Sequence, residues 1–218
     1  MTEGVVVLLL TNGQAELSPA EQRFAEWVQW SPAQSGVVLL NVDVPYRGRT
    51  RQIDALIWTQ QRCIVVEVKG FRRRQDGTLI VPPNGPWLMS DGQIADIYGN
   101  SVNHNPITQV RSNTLAMKNW AGQITRRNRF VYGLVLVMLL PGQDVPSLDV
   151  TAHPEKTDII VEDFDVFRYY LHRLRDHQIQ WSADTVDTLI NRLGLAHLYN
   201  YDRRVIADAL DDPVARYA

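Results

Sequence analysis

Cysteine is all but absent: Cys63 is the only one in 218 residues. That excludes an internal disulfide and a zinc site built on several thiolates. Cys63 lies inside an apolar run and reads as a small core side chain, not a nucleophile. Long apolar runs are lacking too. The most hydrophobic one, Phe130 to Leu140, is too short to span a bilayer. The start, Met1 to Gly4 before Val5 to Leu10, has no basic stretch and too short an apolar one for a secretory leader. The expectation is a cytoplasmic protein with no membrane association. Net charge is only −2, which argues against strong nonspecific affinity for polyanions. There is no P-loop, no Gly-x-Gly-x-x-Gly, no Gly-x-Ser-x-Gly and no protein-kinase signature. The histidines contain no i, i+4 metal-ligand pair, and no repeat is present.

The charges that are present are unevenly spread. Residues 36–135 hold thirteen Lys and Arg against six Asp and Glu, and the remainder holds nine against eighteen. A basic segment with an acidic flank suits a surface that faces phosphates. Within that segment two apolar runs stand close together, Gln52 to Trp58 and Cys63 to Gly70, joined by Thr59-Gln60-Gln61-Arg62. Rich in Ile and Val, they read as paired strands. Glu67 and Lys69 are two apart and so share a face. If Gln60-Gln61 is a two-residue turn, Thr59 pairs with Arg62 and Asp54 falls opposite Glu67. An odd-length loop would separate them. Like charges opposed on one face are destabilising. A divalent cation held by both carboxylates, with Lys69 beside them, would offset that, and oxygen donors are what Mg²⁺ prefers. The plainer reading is an amphipathic hairpin with Glu and Lys on its solvent face. Ile64 to Val68, apolar almost throughout, speaks instead for a strand covered on both sides.

Asp54 followed by Glu67-Val68-Lys69 resembles the PD-(D/E)xK nuclease signature. The wording Gln-Ile-Asp-Ala-Leu-Ile and Val-Val-Glu-Val-Lys-Gly-Phe is close to its nuclease-related domain (NERD) branch, as are Trp87 and Asn105-Pro106-Ile107-Thr108-Gln109. The resemblance covers roughly residues 15–140. It implies an α/β fold with a restriction-endonuclease-like core, a mixed central sheet flanked by helices. It also implies metal-dependent cleavage of nucleic acid, DNA favoured, with Mg²⁺ or Mn²⁺ held by Asp54, Glu67, the Val68 carbonyl and Glu21. Lys69 would act at the phosphate or the attacking water, and Gln109 would position substrate. The rival reading is a module of a larger defence or repair system that binds nucleic acid or protein without cutting. A protein partner or a longer parent chain fits either.

The rest of the chain is read around this centre. Val5 to Leu10 is a short strand or an arm. Ser18-Pro19-Ala20-Glu21 opens a helix, and Glu21 matches the family's helix ligand while also completing a capping box. Glu26 is a weaker candidate. Gly36 to Val44 reads as a strand, and Arg47, Arg49 and Arg51 beyond it line a phosphate path or guard an edge. Arg72-Arg73-Arg74, directly after the site strand, suit a nucleic-acid backbone, and Arg111 adds to them from the helix that Asn105-Pro106 opens. Residues 76–98 are expected as an antiparallel hairpin insertion with Trp87 in its core, and Gly122 to Asn128 as a basic connection. After Phe130 to Leu140, a central strand, comes a loop-like stretch with a strand at Asp158 to Val161. Helices are predicted from Glu162 through Leu174, after Ser182 and over Asp202 to Leu210. The organisation expected is a nuclease-like domain at 1–160, on a sheet of four or five strands, with a helical C-terminal appendage at 161–218.

Overall fold

The computed structural model describes residues 7–13, 16–30, 35–97, 105–151, 155–173 and 178–212. The central sheet has six strands: β1 (Val7–Thr11), β2 (Gly36–Tyr46), β3 (Arg49–Trp58), β4 (Cys63–Gly70), β7 (Tyr132–Met138) and β9 (Thr157–Val161), hydrogen-bonded in that order. β2, β3 and β4 run antiparallel to one another, while β1 is parallel to β2, and β7 and β9 are parallel to β4. The four or five strands expected become six because β1 and β9 close the two edges. All eight residues of β4 are buried, as an apolar run in the middle of a covered sheet requires.

Helices cover both faces. α1 (Pro19–Trp30) and α3 (Phe164–Arg173) share one core with the sheet, in which Phe24 meets Phe167 edge to face at 6.0 Å. α2 (Pro106–Thr125), α4 (Ala183–Arg192) and α5 (Arg203–Ala209) share the other. The sequence signals for their starts are used as such. Ser18 and Glu21 exchange hydrogen bonds across the first turn of α1. Asn105 caps α2 through Ile107 N–H at 2.9 Å, with Pro106 in the first turn, and Ser182 caps α4. The Asn105 amide also reaches the Gly85 carbonyl at 2.9 Å, fixing α2 to the insertion. α2 runs on to Thr125, into the stretch expected as a basic connection from Gly122 to Asn128, because Ala121 and Ile124 extend its apolar side.

The insertion differs from a set of antiparallel hairpins. β5 (Thr78–Val81) pairs antiparallel with β6 (Leu88–Met89), but its other edge takes β8 (Ser147–Val150) in parallel. β8 reads as loop in the sequence because its first three residues are exposed, so no burial pattern marks it. Trp87 is 1% exposed and belongs to the core, as expected. Residues 1–6, Tyr98 and Leu174, which bound elements expected from the sequence, lie outside the described residues. Among the described residues no helix is long and apolar enough to cross a membrane.

Candidate active site

β3 and β4 pair from Trp58↔Cys63 through Ala55↔Val66. Thr59 N–H donates to the Arg62 carbonyl at 2.9 Å, closing a two-residue turn that sets this register. One step further, Asp54 stands opposite Glu67, and there the ladder stops. The cause lies on β2. Asn41, opposite Asp54, has a φ of 52°, and the β2–β3 pairing skips from Leu40↔Ala55 to Val42↔Ile53. Leu40 and Ala55 lie in the α1-side core, whereas Val42 and Ile53 lie in the α2-side core. Regular alternation would keep each pair of neighbours two apart on one face. Both strands therefore change sides at Asn41 and Asp54, bending together as bulged strands do. Ile53, the ladder partner that register assigns to Val68, is carried away. Val68 N–H donates instead to Asp54 Oδ2 at 2.8 Å. The N–H and C=O of one strand residue point to the same side, so the Val68 carbonyl faces this opening as well.

Glu67 and Lys69 alternate with Val66 and Val68, which belong to the α1-side core, so both side chains turn toward α2. Glu67 is 0% exposed and Lys69 7%. The Lys69 ammonium lies 2.5 Å from Glu67 Oε1. That pairing satisfies Oε1, whereas Glu67 Oε2 has no hydrogen-bond partner among the described residues. Burial pushes the Glu67 carboxyl up to about 8, and the facing charge of Asp54 adds to this while Lys69 opposes it. Asp54 is half-buried with its carboxylate turned inward. Burial raises it to about 6 against the pull of Lys69 and of the Val68 N–H, with Glu21 raising it further. Two opposed carboxyls and one ammonium thus sit where water is scarce, with positive charge in deficit.

A divalent cation fits that deficit. Two carboxylates and a backbone carbonyl form a hard oxygen set of the kind Mg²⁺ and Mn²⁺ take, with water completing the shell. The unpartnered Glu67 Oε2 is the feature such an ion would satisfy. Among the described residues no three His, Cys, Asp or Glu cluster as a ligand group. Glu21 Oε2 accepts from Ser18 N–H at 2.6 Å and so serves the helix start, although its charge still acts on both carboxyls. Glu26 lies exposed on α1 and lines, with Arg23 and Arg72, a pocket of about 290 Å³ past the ends of β4 and β7.

Gln109 is half-buried on α2, one helical turn before Asn113 and on the same side of the helix. Asn113, 3% exposed, donates to the Gln52 carbonyl at 3.1 Å and so pins that side of α2 to β3 two residues from Asp54. Arg111, on the next face, is exposed, as is Arg51 on β3. Arg72 is exposed with its backbone N–H on the Asp96 carbonyl at 2.8 Å. Arg73 pairs with Asp96 at 3.3 Å, and Arg74 with Asp76 at 3.2 Å and Asp144 at 3.5 Å, so acids of the insertion and its neighbouring loop already attend these two.

Two positioning residues escape the sequence reading. Asn41 interrupts the run Val-Val-Leu-Leu-Asn-Val, where a lone Asn is a signal for left-handed backbone. Asn113 carries no comparable mark, since polar residues are common on a helix. A family model described as nuclease-related domain, NERD, matches residues 17–138, from the start of α1 to the end of β7. A comparison with curated proteins finds no match, and neither does one with solved structures. The matched span exceeds half of the 218 residues and holds Glu21, Asp54, Glu67, Lys69 and Gln109. The chain belongs to the nuclease-related domain family.

Proposed function

We propose that the protein hydrolyses phosphodiester bonds of nucleic acid in a reaction dependent on Mg²⁺ or Mn²⁺. The observation that carries this reading is the pair of opposed carboxyls, Asp54 and the fully buried Glu67, with Glu67 Oε2 unpartnered and the Lys69 ammonium on Oε1. Asp54, Glu67 and the Val68 carbonyl would hold the ion, with Glu21 as a further donor once released from its cap. Bound there, the ion would polarise the phosphate and make a water acidic enough to attack it. Lys69 donates to the phosphate oxygens as charge grows on them, or orients the attacking water. Glu67 keeps the ammonium turned into the site. Val68 N–H fixes the Asp54 carboxylate, so that its orientation costs nothing at the moment of reaction. Gln109, on the facing side of α2, positions the substrate. DNA as the favoured substrate follows the family resemblance alone.

A second reading has one observation behind it: among the described residues no third acidic or histidine ligand joins the pair. On that reading the same scaffold binds nucleic acid or another protein without cutting. Incubating the purified protein with circular and linear DNA and with RNA, with Mg²⁺ or Mn²⁺, separates the two. The nuclease reading expects cutting that disappears in EDTA and in Lys69→Met. Absence of cutting in every arm would favour the binding module.

A further inference from the structure

Among the described residues, four cations with no carboxylate partner gather at a place the site does not use. A groove of about 580 Å³ opens between the β2–β3 turn and the C-terminal end of α2. Tyr46, Arg47, Lys118, Trp120, Arg126 and Arg127 line it, and no Asp or Glu does. Among the described residues none of its four cations forms an ion pair, in contrast to Arg73 and Arg74. The α2 dipole presents its negative end here, roughly half a charge, which four full positive charges outweigh.

The backbone points the same way. Arg47 and Gly48 form the two-residue turn between Tyr46 and Arg49, both with positive φ, 50° and 72°. That turn favours Asn-Gly. Arg126 ends α2 with φ 52° and ψ 26°, where Gly or Asn is the usual choice. The fold by itself asks for Asn or Gly at both positions. Arginine stands at both, and both open onto one groove, which is how strain retained for a function looks. The Arg47 guanidinium lies 5.1 Å from the centre of the Tyr46 ring, which gives it a platform.

The groove is tied to the site by α2. Asn113 bonds the Gln52 carbonyl beside Asp54, and Trp120 lies seven residues on, about 10 Å along the helix. That is on the order of three base-pair steps. We propose that this groove holds the sugar-phosphate backbone of the nucleic acid a few nucleotides from the bond that is cut. The identity of the bound polyanion rests on the nuclease reading above. Arg and Lys contacts of this kind fix register and affinity without reading sequence.

The test is Arg47→Asn combined with Arg126→Asn in the full chain, in EDTA so that nothing is cut. Fluorescence anisotropy with a single strand and a duplex of roughly 20 nucleotides, from about 50 to 200 mM salt, gives affinity and salt slope. The double variant is expected to bind about tenfold more weakly or worse, with a slope shallower by about 2. Its Tm is expected to stay level or rise, because Asn suits both backbone positions. Lys118→Gln with Arg127→Gln, at positions without positive φ, is expected to give the same loss of binding. Wild-type affinity and slope in either folded variant would overturn the inference. Pyrophosphate titrated by calorimetry is the control for a free phosphate: its loss in the double variant with oligonucleotide binding intact would overturn the inference too. If the wild-type protein cuts no substrate but the variants still lose binding, the nuclease reading fails and the groove stands.

Discussion

Glu67 has no exposure, and only Lys69 offsets its charge. In the metal-free protein its folded pKa, about 8, lies above the ordinary carboxyl value. The folded state therefore keeps a proton that the unfolded chain gives up. Stability from this group is present below the unfolded pKa of 4.5 and is lost as pH rises through about 8. Thermal melts in EDTA are expected to show wild type falling relative to Glu67→Gln between pH 5 and 8, with the variant the more stable at pH 8. A difference independent of pH would contradict the burial argument. Mn²⁺ at a hundredfold excess over its Kd is expected to restore about 2.7 kcal/mol to wild type and nothing to the variant. Lys69→Met keeps the apolar stem and removes the ammonium. It is expected to lower cleavage about 10²- to 10³-fold in a protein that still melts cooperatively, at a lower temperature once Glu67 ionises without its counter-charge. These residues were legible in the sequence because spacing and period place them: a strand alternates every two residues, and a two-residue turn fixes the register. The protonation state was not, because it depends on how deeply α2 and the sheet bury the pair.

At the scale of elements, the bend in β2 and β3 makes the site. Asn41 holds it with left-handed backbone, which a β-branched residue strongly resists. Asn41→Val is expected to cost about 1–2 kcal/mol and to lower cleavage as well, since it draws Asp54 back into the ladder. Asn41→Gly is expected to keep both fold and activity. Chemical denaturation together with a cleavage assay checks the pair; equal stability of the two variants would remove Asn41 from the account. Asn113→Ala removes the bond to the Gln52 carbonyl, at about 0.5–1.5 kcal/mol. The buried strand β4 and the capped starts of α1, α2 and α4 could be read from the chain, because apolar runs and capping residues are local signals. β8 could not, since its order comes from a backbone ladder to β5 and its side chains are exposed. The bend could not either: it shows only when the partner strands are laid side by side.

Across the whole molecule, the chain after Val161 completes both cores. Phe167 packs on Phe24 under the α1 face, and Trp181, Val186, Leu189 and Ile190 are fully buried under the other. At about 1.5–3 kcal/mol for each such side chain, these five amount to a typical protein's entire net stability. A chain stopped at Val161 is expected to lose its cooperative melting transition; a truncated chain that melts like the full one would contradict this. The sequence marks these helices by period and caps but gives no hint of which face of the sheet each covers. The charge asymmetry, too, is legible only in outline, because the sequence cannot tell Arg73 and Arg74, attended by acids, from Arg126 and Arg127, which line the groove. The central claim is that the bend brings Asp54 and Glu67 together as a metal site. Isothermal titration of Mn²⁺ into wild type, Asp54→Asn and Glu67→Gln tests it most directly. The account expects saturable binding by wild type that is lost in both variants while their folds persist. No binding by wild type, or equal binding by all three proteins, would contradict it.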